Sequence, residues 1–339
     1  MNYKIRKISD VNSALLSEFY KTAYPYRYNN LNNHWRWYCR LGYNDFEPIV
    51  IEVNSKIVGM ASLISSKLEY RNQINEAIWF TDFFILKEFR NKGYGSILTK
   101  EWMKICPIQI TFCNDESLKV FKKFSWQSNS DTYRNIKPIN LLRMIPLVKN
   151  FSFILNKKVQ KFFLRQKNKD YKDINPRQIE DSDVSALCNL ENKKEFNKEL
   201  FSIVHDEDWF KWRLIECPYK SNIYIFKNDL DVIIANIFEY KNLKRFNILY
   251  SYINDSSNKE IYDLIINWSF KNKIDYVWYI NNQDNIFFKE KEIISTFFKK
   301  KINFACFSQN ETILSNLKKG LSNSQGSDSD IDSILFQDQ

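Results

Sequence analysis

Asp82-Phe83-Phe84-Ile85-Leu86-Lys87-Glu88-Phe89-Arg90-Asn91-Lys92-Gly93-Tyr94-Gly95-Ser96-Ile97-Leu98 runs an apolar strand into a short basic loop with two glycines and then into a helical pattern. Strand, glycine turn and helix in that order build an anion cradle. The glycines let the backbone turn tightly and approach a ligand, and a helix beginning near Ser96 points its unpaired N–H groups at the same place. Arg90 and Lys92 add cationic charge, and the helix dipole contributes roughly 0.3–1 kcal/mol towards an anion at that end. A diphosphate suits such a cradle. Taken alone, Gly-x-Gly after a strand is also ordinary strand-to-helix punctuation, so the neighbouring sequence has to decide between the two.

Two nucleotide-binding signatures fail on these residues. A Walker loop needs Gly-Lys-Ser/Thr closing an eight-residue span, which the chain lacks, and a dinucleotide fingerprint needs a third glycine where Leu98 stands. The segment instead resembles the Arg/Gln-x-x-Gly-x-Gly/Ala loop of the GCN5-related N-acetyltransferase (GNAT) superfamily, which holds the pyrophosphate of acetyl-CoA. Its polyamine-acetylating branch also places Asp-Phe-Phe and an aliphatic residue before the Arg and the two glycines. The resemblance implies that Arg90, Asn91, Lys92, Gly93, Tyr94, Gly95 and Ser96 cradle the diphosphate. It implies also that backbone groups around Phe84, Ile85 and Leu86 pair with pantetheine as a further strand would, one N–H polarising the thioester carbonyl. Acetyl-CoA is then a co-substrate, and no metal is needed.

A second landmark of the superfamily is Asn, a small residue at Asn+3, Tyr at Asn+7 and Gly-Phe at Asn+11 and Asn+12. Here Asn114 opens the pattern and Ser117 matches, but Phe121 replaces the tyrosine and Ser125-Trp126 replaces Gly-Phe. The tyrosine hydroxyl commonly protonates the leaving thiolate, which a phenyl ring cannot do. Asn114 joins the expected cofactor-binding set. Asp82 is the expected catalytic residue: it matches the branch's aspartate and could hold a cationic amine or relay its proton through water, whereas the bland alternative is a hydrogen bond to a neighbouring loop. Glu76 is a less favoured base, closer to an exposed strand-end charge. Tyr133 is a substitute acid only if it is not packing in the core.

Upstream, Ile8 to Tyr20, with Ser9-Asp10 as cap candidates and Val11, Leu15 and Phe19 as the apolar face, predicts a first helix. Leu31 to Cys39 predicts a second. Pro48–Val53, the turn Asn54-Ser55 and Lys56–Ala61 predict a hairpin, and a further strand is expected from Glu76 to Leu86.

At 339 residues the chain is too long for one such domain. Three landmarks recur in order: Asp10–Leu15 in Asp183–Leu187, Trp35-Arg36-Trp37 in Trp209-Phe210-Lys211-Trp212, and the Asn54 hairpin in Ile223–Asp229. A duplication follows. The expected fold is mixed α/β (α+β): two tandem GNAT-like domains, each a mixed, mostly antiparallel sheet flanked by helices. The expected boundaries are 1–136 for the acetyltransferase domain, 137–170 for a basic helical linker, 171–319 for a degenerate copy and 320–339 for a flexible acidic tail. In the second copy the loop place reads Asn254-Asp255-Ser256-Ser257-Asn258-Lys259-Glu260, with neither glycine nor arginine, so CoA is not expected there. Tandem forms with one degenerate half occur among mycothiol-type synthases, peptidoglycan aminoacyl transferases and enzymes modifying bacterial surface sugars; that likeness is architectural only.

The remaining features narrow the classes. No apolar run in the linker reaches the ~20 residues of a membrane span, although a basic amphipathic helix there could touch an anionic membrane. The net charge of +10 is spread along the chain rather than clustered, so nucleic acid is not an expected partner. Cys39, Cys106, Cys113, Cys188, Cys217 and Cys306 lack metal-ligand spacing and suit reduced cysteines of a cytoplasmic protein. His34 and His205 are the only histidines, which argues against zinc and against a Cys/His nucleophile. Asp328, Asp330 and Asp332 alternate as in a calcium loop, yet Ser333 and Gln339 stand where glycine and glutamate are needed. The expectation is therefore a cytoplasmic N-acetyltransferase acting by direct transfer in a ternary complex on a primary amine of a small molecule, an amino sugar or a polyamine-like amine. Two alternatives stand beside it: a weakly active acyl-CoA-binding scaffold, suggested by Phe121, and aminoacyl transfer from charged tRNA, which would leave the CoA loop without a purpose.

Overall fold

The structure is a computed structural model that describes residues 2–140, 143, 176–194, 197–228, 231–240, 242–253, 258–282 and 298–323. Among these the strands are β1 Tyr3–Lys7, β2 Ile49–Val53, β3 Lys56–Tyr70, β4 Gln73–Ile85, β5 Ile108–Cys113, β6 Gln127–Pro138, β7 Arg177–Gln178, β8 Ser202–Ile203, β9 Ile223–Lys227, β10 Val232–Tyr240, β11 Leu243–Tyr252, β12 Tyr276–Asn282 and β13 Phe298–Ser308. The α-helices are α1 Ser13–Ala23, α2 Tyr28–Tyr38, α3 Tyr94–Trp102, α4 Asp115–Lys122, α5 Asp183–Glu191, α6 Glu207–Phe210, α7 Asn258–Lys271 and α8 Glu311–Leu317.

The described residues divide into two compact units that are not contiguous in sequence. One takes those within 1–132, 195–218 and 302–339, and the other those within 133–194 and 219–301. The boundaries expected from sequence, at 136/137, 170/171 and 319/320, cut the chain into consecutive blocks; the fold instead gives the first unit two segments from the second half. Strand β8 pairs antiparallel with β3 through Leu68↔Ile203 and Glu69↔Ser202. The end of β13 pairs antiparallel with β5 from Asn303↔Cys113 to Ser308↔Ile108.

In the first unit β1, β2, β3 and β4 are successively antiparallel and β5 joins β4 in parallel. Two tight turns set that meander: Asn54 and Ser55 at φ 50° and 60°, and Arg71 and Asn72 at 50° and 62°. Paired left-handed residues of this kind match the right-handed twist of the flanking strands. Both β3 and β4 reach further back than the sequence pattern suggests, β3 to Tyr70 and β4 from Gln73, since Ser65, Ser66 and Lys67 interrupt the apolar run. The first helix also differs from expectation. Ile8–Asp10 is a 3-10 turn, and Asn12 rather than Ser9 or Asp10 caps α1, its Oδ1 accepting from the Ala14 N–H at 2.8 Å. The buried face is Leu16, Phe19, Tyr20 and Ala23, with Val11 and Leu15 half-buried. The core is aromatic: the Phe80 ring meets Trp102 at 4.3 Å and Phe121 at 5.3 Å between centroids, and Trp126 stacks beyond them.

The second unit repeats this plan. Its strands run β7, β9, β10, β11 antiparallel, with β12 parallel to β11. The echoed landmarks fall on corresponding elements: Asp10–Leu15 and Asp183–Leu187 around the starts of α1 and α5, Asn54 and Asn228 at hairpin turns, and the tryptophans on the helical segment between them. Those tryptophans also meet. Within the first unit the Trp37 indole N–H donates to the Trp212 carbonyl at 2.8 Å and the Trp212 indole N–H donates to the Trp37 carbonyl at 2.7 Å. Residues 254–257 of the second copy's loop, nearly all of the linker and the calcium-like aspartates lie outside the described residues. Among those described, no helix is long and apolar enough to cross a membrane and no cluster of His, Cys, Asp or Glu could hold a metal.

Lys137, in the part of β6 that belongs to the second unit, is fully buried, and burial pushes its ammonium down to about 7. An unfolded lysine holds its proton up to about pH 10.4, so between about 7 and 10 unfolding takes up a proton and rising pH favours the folded state. The wild-type melting temperature is therefore expected to climb relative to Lys137→Met as pH goes from 7 to 10. Parallel curves would show that Lys137 stays charged inside the fold.

Candidate active site

The site is made by a mismatch between two strands. β4 pairs with β5 only at Ile78↔Gln109 and Trp79↔Ile110; beyond them the strands part, with the Thr111 hydroxyl donating to the Phe80 carbonyl at 2.7 Å at the fork. On the other side β4 stays paired with β3 but shifts register, since Leu63 faces Phe80 while Ala61 faces Phe83. Thr81 and Asp82 thus oppose Ser62 alone, a β-bulge that bends the strand away from β5. Past the bulge, the Leu86 N–H donates to the Val58 carbonyl at 2.9 Å. Antiparallel alternation then turns the backbone of Phe84 and Leu86 towards β3 and that of Phe83 and Ile85 into the gap. Of the three residues expected to offer backbone groups, only Ile85 does so. Phe83 is the one that sequence reading missed, because its direction depends on the bulge.

At the end of this edge stands the glycine loop. Asn91 lies at φ 61° and Gly93 at φ 83°, and the helix starts at Tyr94, two residues before the expected Ser96, with no side chain capping its first N–H groups. Gly95 faces the strand edge: a Cβ there would lie 3.8 Å from Ile85 and 3.9 Å from the Phe83 ring. Strand edge and helix N-terminus therefore converge. Tyr94 is buried against Phe89 and Tyr3, while Asn91, Lys92 and Ser96 are exposed. Arg90 lies back along β4, its Nε donating to the Ile85 carbonyl at 2.9 Å and its guanidinium 5.2 Å from the Phe84 ring centroid. It therefore takes one of the acceptors facing the gap and sets a cation at the strand end.

Asn114 is exposed and caps α4, its Oδ1 accepting from the Ser117 N–H at 2.8 Å. That contact is helix-cap chemistry made with the Ser117 backbone. Phe121 is buried in the aromatic core beside Phe80 and Trp126. Tyr133 belongs to the second unit and is half-buried, and Glu76 is an exposed residue near the far end of β4.

Asp82, in the bulge, is nearly buried and has a partner that sequence did not suggest. Arg27, from the 3-10 turn Pro25–Arg27 ahead of α2, donates from Nη1 to Asp82 Oδ1 at 2.8 Å. The pair is 55 residues apart in the chain, and no local pattern joins them. Around it lie Tyr24 and Tyr38, whose ring centroids are 5.6 and 5.4 Å from the guanidinium carbon, and Cys39, whose Sγ is 3.4 Å from Ser62 Oγ. Burial pushes the Cys39 thiol up to about 12 and the Tyr20 phenol well above its usual range. Neither the thiol nor the phenol is an anion near neutral pH.

Strands part beside a bulge, and an uncapped helix N-terminus stands at their end, where the resemblance leads one to expect acyl-CoA; residues 9–126 match the Acetyltransferase (GNAT) family. This region belongs to the GNAT family of acyltransferases. No curated protein matches the chain in sequence. In fold it is similar to Saccharomyces cerevisiae N-myristoyltransferase with bound myristoyl-CoA, at 14% identity and a TM-score of 0.60 over 91% of this chain and 79% of that one. A GCN5-related N-acetyltransferase from Kribbella flavida matches at 9% identity and 0.60, covering 90% and 70% of the two chains. Another from Anabaena variabilis matches at 9% and 0.60, covering 91% and 73%. The GNAT fold thus extends over both units.

The two glycines have separable roles. Gly93→Ala forces a side chain into the left-handed region and should cost about 1–2 kcal/mol in denaturant unfolding. Gly95 is helical with ordinary clearance, so Gly95→Ala should gain about 0.5–1 kcal/mol. A destabilised Gly95→Ala would mean that the helix start is closer to the strand edge than described.

Proposed function

We propose that the chain is an acyl-CoA-dependent N-acyltransferase that moves an acetyl group from acetyl-CoA to a primary amine of a small molecule by direct transfer. The observation that carries this reading is the convergence of the bulged β4 edge at Phe83 and Ile85 with the uncapped start of α3 at Gly93–Ser96. The Tyr94, Gly95 and Ser96 N–H groups, with Arg90 and Lys92 nearby, hold the diphosphate. The edge groups of Phe83 and Ile85 hold the pantetheine arm as a neighbouring strand would, and an N–H among them stabilises charge on the thioester oxygen. The family match over residues 9–126 supports the assignment of Arg90 to Ser96; the helix-cap contact of Asn114 makes its role one of shaping the wall.

The amine nitrogen attacks the thioester carbonyl, the C–N bond forms, the C–S bond breaks and CoA leaves as thiolate. Asp82 accepts the proton that the amine must lose, directly or through water. Phe121 offers no proton to the thiolate, so water supplies it. A short acyl chain is favoured because Phe80, Phe83, Phe121 and Trp126 fill the space beside the fork with rings. A cytoplasmic place fits a protein whose Cys39, Cys106 and Cys306 are buried free thiols, and modification of a glycan amino sugar fits the acceptor class. A second reading, acyl-CoA binding without turnover, is favoured by Phe121 alone.

Calorimetric titration with acetyl-CoA tests the first step. Binding in about the micromolar range that Gly93→Glu abolishes is expected, since the substitution adds a carboxylate to the cradle; no binding by the folded wild type would sink the proposal. Asp82→Asn separates the two readings. It should keep acetyl-CoA affinity and lose about 10²–10⁴-fold in turnover, and unchanged turnover would remove Asp82 from the chemistry.

A further inference from the structure

Resting on that reading of residues 9–126, we propose that the acceptor is a monoamine of the amino-sugar kind, with no cationic group beyond the reacting nitrogen, and that polyamines are excluded, with Arg27 as the residue that excludes them. Asp82 is the one feature in the sequence that points to a polycation. In the fold its charge is already answered. Arg27 Nη1 lies 2.8 Å from Asp82 Oδ1, and the two side chains are only 14% and 12% exposed.

Arg27 is also held in place. Its backbone N–H donates to the Tyr24 carbonyl at 2.9 Å, closing the turn that starts at Pro25, and its guanidinium lies by the rings of Tyr24 and Tyr38. An arriving ammonium would have to displace a cation fixed by a turn and two rings, or sit beside an ion pair and leave net positive charge in a ring-lined, poorly solvated place. A second fixed cation strengthens this. The Phe84 ring, 5.5 Å from the Tyr24 ring, has the Arg90 guanidinium 5.2 Å from its centroid, so the aromatic row Phe84 and Tyr24 carries a guanidinium at each end. With the diphosphate of CoA facing Arg90, the Asp82 and Arg27 pair leaves no net negative charge at the bulged end of β4 to draw a polycation.

What remains open around the pair is hydrogen-bonding capacity rather than charge. Asp82 Oδ2, Thr81 Oγ1 and Tyr20 Oη are buried without a hydrogen-bond partner among the described residues. One acceptor and two hydroxyls suit the hydroxyl and amine groups of a sugar better than the methylene stem of a polyamine, which has no polar group to satisfy them.

The test uses the whole chain with acetyl-CoA and two probes, glucosamine and spermidine, reading CoA release and, on CoA-loaded protein, calorimetric binding of each amine. The wild type is expected to favour glucosamine by about tenfold or more in kcat/KM, and Arg27→Gln to move the ratio towards spermidine by about tenfold through KM. Arg27→Lys, which keeps the charge, should hold the wild-type preference. Preferred turnover or tighter binding of spermidine by the wild type would overturn the inference even if Arg27→Gln failed to fold, and so would an unmoved ratio in a folded Arg27→Gln. Refusal of spermidine by the wild type with uptake by Arg27→Gln supports it whatever the rate on glucosamine. Failure of the parent reading looks different: the wild type then binds no acetyl-CoA.

Discussion

One extra residue in β4 organises the first unit. While β4 keeps its hydrogen bonds to β3, the bulge at Thr81–Asp82 shifts its register by one and increases its bend. Two consequences follow together. The strand can no longer stay parallel to β5 beyond Trp79, which leaves backbone groups of Phe83 and Ile85 without a strand partner along the gap, the Ile85 carbonyl being met by Arg90. Asp82, placed in the bulge rather than in a regular pleat, meets Arg27 instead of continuing the apolar face. Strand edge and Asp82 are therefore placed by the same local irregularity.

The second unit shows that this irregularity belongs to the fold rather than to the site. In β10 and β11 the register shifts at Ile234/Ala235, and β11 pairs with β12 only from Arg245 to Asn247. The repeat keeps the bulge and the parting strands but places different chemistry beside them. Tyr250, just past the shift, donates to Glu191 at 2.6 Å, and Lys194 pairs with the same carboxylate. A core of the same kind, with Phe226, Phe246 and Ile265 in place of Phe80 and Trp102, supports the geometry. The second unit thus keeps the frame and carries other groups at the gap.

Exchange of segments between the repeats deepens the duplication. Residues 197–218 and 302–323 come from the second half of the chain and pack in the first unit, where β13 lies beside β5 and β8 beside β3. The reciprocal Trp37 and Trp212 hydrogen bonds join equivalent positions of the two repeats within that unit. Each indole N–H would otherwise be desolvated without a partner, so neither tryptophan can be replaced without leaving a carbonyl of the other segment exposed to that cost.

The sequence by itself determined the parts whose information is local: the hairpin at Asn54, the strand into the Gly93 turn, the helix behind it, and the recurrence of three landmarks that marks a duplication. Each rests on turn chemistry, glycine conformation or apolar periodicity over a few residues, which neighbouring side chains and backbone dihedrals settle without the rest of the chain. Only the tertiary structure decided that Phe83 and not Phe84 faces the gap, because pleat direction past a bulge depends on which strand keeps its partner. It alone set Arg27 against Asp82 across 55 residues, buried Phe121 in the aromatic core, and gave β13 to β5. Those are long-range outcomes: a charge pairs with whatever the fold brings beside it, and a strand edge takes the segment that best buries its apolar face and satisfies its backbone. Nothing in the residues adjacent to either partner specifies the choice.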